Sequence, residues 1–198
     1  ISATAGGVNI TNSGTITTAA ATGINAATTG ASDNATVTNS GTITANTTGA
    51  TSNACNGCSS AQGIVLQAQN NTGGTGSVTN TSTGSISVTN GDAVVISGFN
   101  TSTLTNNGTI TSTPTGTNSM PAVLMNENAT VNNNGSITGD VGVDFASATT
   151  PTINNNSTGT ITGNSGLAII NLGTTTGTTI NNAGTITGDV LSPEAQSI

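Results

Sequence analysis

The chain has 198 residues, a net charge of −7 from seven carboxylates, and no Lys, Arg or His. Without cations it lacks the side chains that grip nucleic-acid phosphates or anionic membrane surfaces, and no apolar run approaches the ~20 residues of a membrane-spanning helix. Trp and Tyr are absent, and Leu, Ile, Val and Phe together make only 37 of 198 residues, a share that borders on disorder unless the apolar residues recur in register.

They do recur. The unit reads apolar-x-Asn, a short turn, then Gly-Thr/Ser-Ile-Thr/Ser. Its turn glycines are Gly14, Gly41, Gly84, Gly108, Gly135, Gly159 and Gly184, spaced by 27, 43, 24, 27, 24 and 25 residues. In chain order, the first unit predicts strands centred on Ile10, Ile16 and Ile24. The second has Val37, Ile43 and "GIVLQ" (63–67), with a long insertion before the last. The third has Val78, Ile86 and "DAVVIS" (92–97), and the fourth Leu104, Ile110 and "AVLM" (122–125). The fifth has Val131, Ile137 and "VGVDF" (141–145). Ile153, Ile161 and "GLAII" (166–170) make the sixth, and Ile180, Ile186 and "DVL" (189–191) the seventh. The turns before Gly84 and Gly159 are two residues longer than the others.

Apolar residues flanked by Thr, Ser or Asn have the alternation of half-buried strands. Thr, Asn and Gly dominate where a helix would need Ala, Leu, Glu or Lys. Three short strands per ~25 residues describe an all-β, parallel β-solenoid (β-helix) of about seven coils. The whole chain, 1–198, is one such domain, with a disulfide-clasped loop insertion around 46–62. No coil can bury its own apolar residues, so stacking must close the core. Ile16, Ile43, Ile86, Ile110, Ile137, Ile161 and Ile186 form the expected core column. Asn12, Asn39, Asn80, Asn106, Asn133, Asn155 and Asn182 share one repeat position, where each amide can donate to the next coil.

"ACNGCSS" holds Cys55 and Cys58. A short disulfide clasp in an exposed loop fits this spacing and an oxidising compartment. No helix follows, as a redox pair would require, and no further Cys or His could complete a zinc site.

The units "NSGTITTAAATGI", "NNGTITS", "NNNGSITGDVGV" and "NNAGTITGDV" resemble autotransporter passenger domains and related bacterial surface β-helix adhesins, from about residue 8 to 191. The resemblance implies a right-handed parallel β-helix exported to the extracellular side of a bacterial cell surface. That family's activities vary, so it assigns no functional residue.

Chemistry is sparse. Without His, Lys or Arg there is no Ser-His or Ser-Lys pair, and no enzyme is expected. Asp33, Asp92, Glu127, Asp140, Asp144, Asp189 and Glu194 are mostly isolated; a two-carboxylate polysaccharide hydrolase is the remote alternative. Asp140, Asn164 and Asp189 follow equivalent Ile-Thr-Gly segments and would stack as an Asp-Asn-Asp column. Turn capping explains them, since calcium needs six to eight oxygens. No metal and no cofactor is expected. If each central Ile points inward, the flanking Thr or Ser residues form two outward columns, and ice or glycan binding through that face is the second alternative.

The reading adopted is an extracellular structural or adhesive rod, a surface fibre or matrix component. Its partners are itself and a host, cell or abiotic surface, with no nucleic acid and no membrane insertion. Joining the end of one copy to the start of the next spaces Gly184 and Gly14 by 28 residues, close to the internal 24–27 once the 43-residue spacing that holds the insertion is left out. Head-to-tail stacking, with Ile1 and Ile198 near the protomer junction, is therefore expected to give an open filament; excision from a longer passenger also fits that spacing.

Overall fold

The computed structural model describes residues 1–46, 61–69, 73–115, 120–171 and 178–192. It opens with β1 (Ser2–Ala5). Four sets of three strands follow: β2 (Val8–Asn12), β3 (Thr15–Ala19) and β4 (Ile24–Thr28); β5 (Ala35–Asn39), β6 (Thr42–Asn46) and β7 (Ile64–Ala68); β8 (Thr75–Asn80), β9 (Ser85–Thr89) and β10 (Val94–Ser97); β11 (Thr101–Asn106), β12 (Thr109–Thr113) and β13 (Pro121–Met125). Three sets of two complete it: β14 (Asn128–Asn133) and β15 (Ser136–Phe145); β16 (Thr152–Asn155) and β17 (Thr160–Asn171); β18 (Thr179–Asn182) and β19 (Thr185–Leu191).

All the ladders are parallel, and each strand pairs with its counterpart one repeat away. The first strands form a seven-stranded sheet in the order β18-β16-β14-β11-β8-β5-β2. The second and third strands share one twelve-stranded sheet, because β15, β17 and β19 belong to both ladders. The fold is thus a parallel β-solenoid, but three short strands per coil holds only for the first four sets. In the last three the second and third strands run together. "TGDV" and "TGNSGL" offer no loop long enough to break the ladder, so it continues around the corner with register shifts between Gly139 and Val141 and between Thr162 and Leu167. β1 was not anticipated. It pairs with β4 from Ser2↔Asn25 to Ala5↔Thr28, but "SATA" has no large apolar residue to mark it.

The core is a stack of files. Ile43, Ile86, Ile110, Ile137 and Ile161 are fully buried, while Ile16 and Ile186, at the two ends, are half-buried. Beside them run Val37, Val78, Leu104, Val131 and Ile153 from the first strands, and Ile24, Ile64, Val94, Val123, Val143 and Ile169 from the third. Each such burial contributes about 1.5–3 kcal/mol. Both aromatic rings lie inside as well. Phe99 fits because Gly76 is opposite: a Cβ there would lie 2.5 Å from the ring.

Candidate functional site

The first strands end in asparagine because the chain must turn there. Asn12 Nδ2 donates to Asn39 Oδ1 at 2.8 Å, Asn39 to Asn80 at 2.9 Å, and Asn80 to Asn106 at 2.9 Å. Asn106 donates to Asn133 at 2.9 Å, Asn133 to Asn155 at 2.8 Å, and Asn155 to Asn182 at 2.8 Å. The remaining capacity closes the turns. Nδ2 of Asn39 reaches Gly41 O at 3.1 Å and Nδ2 of Asn106 reaches Ser136 O at 3.1 Å, while Gly108 N donates to Asn106 Oδ1 at 3.3 Å. Asn39 through Asn155 in this row have no exposed surface, Asn12 is 6% exposed, and Asn182 at the end is exposed. A buried amide satisfied on both sides specifies register, because a one-residue slip would orphan several donors at once.

Two further ladders were not anticipated. Asn181 donates to Asn154 at 2.8 Å and Asn154 to Asn132 at 2.8 Å. Outside the turn, Asn156 donates to Asn134 at 2.7 Å and Asn134 to Asn107 at 2.8 Å. The doublets and triplets "NN" and "NNN" at 106–107, 132–134, 154–156 and 181–182 are the sequence signal.

The second strands present a different surface. Thr15, Thr42, Ser85, Thr109, Ser136, Thr160 and Thr185 align in one file, and Thr17, Thr44, Ser87, Thr111, Thr138, Thr162 and Thr187 in the next. Among the described residues none of these hydroxyls is engaged by another protein group. The files carry no charge, and Ser85, Ser87 and Ser136 interrupt the threonine methyls.

The carboxylates do not gather into a metal site: among the described residues no group of three or more metal-ligating side chains occurs. The expected Asp-Asn-Asp column does not form. Gly163 pairs with Gly139 and Leu167 with Val141, which leaves Asn164 in the bulge of β17, and Asp189 pairs with Leu167 instead. Two extra residues in "TGNSGL" cause the offset. Asp144 lies between Leu124 and Ile170 on the outer file of the third strands. Burial, and then the nearby charge of Asp144, push the Asp92 carboxyl up to about 7, against a hydrogen bond from Gln62; burial pushes Asp144 up to about 6. Cys55, Cys58, Glu194 and Ile198 fall outside the described residues. Ile1 is 58% exposed, and its ammonium donates to Gly23 O at 2.7 Å.

No family model, curated protein or solved structure matches the chain, so its functional reading rests on its own residues.

Proposed function

We propose that the chain is a structural and adhesive β-solenoid of the bacterial cell exterior, a stiff element of a surface fibre or matrix. The observation that supports this reading is the unbroken row of six amide–amide bonds, 2.8–2.9 Å long, running through the stack. The ladder has polarity. In this row every Nδ2 donates toward the C-terminal rungs, so its Asn182 end offers a donor and its Asn12 end an acceptor, while the two shorter ladders donate the opposite way. Continuation in the same direction, by further turns or by another copy, extends the ladder; head-to-head contact would set acceptor against acceptor. Self-association is therefore head-to-tail, with the Asn182 end of one copy facing the Asn12 end of the next. Immunogold electron microscopy of the native material tests this reading. Label along unbranched extracellular fibres is the expected result, and label confined to the cell interior would overturn it.

The free hydroxyl files favour a second reading, a ligand-binding face for ice or a neutral glycan. Inhibition of ice recrystallisation, or retention on a neutral polysaccharide, with loss in Thr111→Tyr, would support it.

A further inference from the structure

The third-strand face holds two carboxylates that no side chain can neutralise, since the sequence has no Lys, Arg or His. Asp92, just before β10, is 2% exposed, and its Oδ1 has no hydrogen-bond partner. Asp144 in β15 has an Oδ1 that is likewise buried and unpartnered. Its file runs Asn25, Val65, Val95, Leu124, Asp144, Ile170, so its immediate neighbours are apolar. The strands packed against the two groups, β7, β10, β13 and β17, contain no titratable residue. Asp144 is the charge that bears on Asp92, and Asp140 shares β15 with Asp144. Asp33, Glu127 and Asp189 belong to other segments.

We propose that Asp92 and Asp144 form an acid latch: protonated, they let the third-strand face close around them, and ionised, they loosen it. An anion drawn out of water with no cation beside it is costly to hold, and the Gln62 hydrogen bond to Asp92 offsets only part of that cost. A neutral carboxyl lacks that charge and gains an O–H donor. The upward shifts of both groups agree with this. The folded chain binds these protons more tightly than the unfolded chain. Stability is therefore fully present in acid and is lost as pH rises from the ordinary carboxylate range through about 6 and then about 7. The rod is firmest in an acidic setting and loosens toward neutrality.

Thermal unfolding between pH 4 and pH 8 tests the latch, with the wild type beside Asp92→Asn, Asp144→Asn and the double variant. The wild-type Tm should fall by roughly 5–10 °C across this range, with most of that fall absent in Asp92→Asn and nearly all of it in the double variant. Infrared titration of the wild type supplies an independent readout should Asp92→Asn not fold. Carboxyl bands that persist above pH 5 and vanish by pH 8 are expected. Unchanged pH dependence in the variants that fold, or full ionisation by pH 5, would overturn the proposal.

Discussion

Replacing Asn106 by Asp changes almost no volume and inverts half of the hydrogen bonding at the middle of the ladder. The carboxylate still accepts from Asn80 Nδ2 at 2.9 Å and Gly108 N at 3.3 Å. It can no longer donate to Asn133 Oδ1 at 2.9 Å or to Ser136 O at 3.1 Å. The deserted buried acceptor of Asn133 costs about 1–3 kcal/mol, and the half-buried Ser136 O adds less, before the cost of an anion at a site with no exposed surface. Protonation restores one donor. The new carboxyl should therefore have a raised pKa in the folded chain, and the defect should shrink in acid and grow toward neutral pH. Asn156→Asp, in the exposed ladder where Nδ2 meets Asn134 Oδ1, is the matched control and should cost about 1 kcal/mol or less. Urea unfolding at pH 4 and pH 8 measures both. If Asn106→Asp proved no more damaging than Asn156→Asp at pH 8, the ladder would not hold the stack together.

Ile110 is fully buried and Thr109 beside it is exposed, so Ile110→Asp should disrupt the stack by several kcal/mol, while Thr109→Ala stays within about 0.5 kcal/mol; thermal melts that reversed the order would show the faces to be misassigned. A Cβ on Gly91 would lie 1.6 Å from Ala61 O, whereas one on Gly14 would meet nothing within 4 Å. Gly91→Ala should therefore cost about 2 kcal/mol or more and Gly14→Ala less than about 1 kcal/mol in either direction, a contrast that urea titration would resolve.

The parallel solenoid was legible because its signals are local and repeated. Ile43, Ile86, Ile110, Ile137 and Ile161 sit between hydroxyl residues in every copy, and period-two alternation leaves each of them one inward direction. Asparagine two or four residues before Gly marks a turn that stacking can exploit. What escaped notice depends on register between turns. β1 carries only small side chains, so nothing in "SATA" distinguishes it from loop. The merging of strands in β15, β17 and β19 turns on how many residues round a corner, and the two extra residues in "TGNSGL" displace Asn164 from Asp189. Asp92 and Asp144 are 52 positions apart in the sequence, and neither their burial nor their influence on each other has a local signature.

Stacking along one axis is best measured by X-ray diffraction from an oriented, concentrated sample. Parallel strands set one above another require a reflection near 4.8 Å along the rod axis. Head-to-tail continuation adds an axial repeat of about 34–38 Å, seven to eight strand spacings, since the first-strand sheet has seven rungs and β1 gives the third-strand ladder an eighth. A pattern with the 4.8 Å reflection off the rod axis, or with none at all and only a compact monomer sedimenting at high concentration, would contradict both the stacked rod and its assembly.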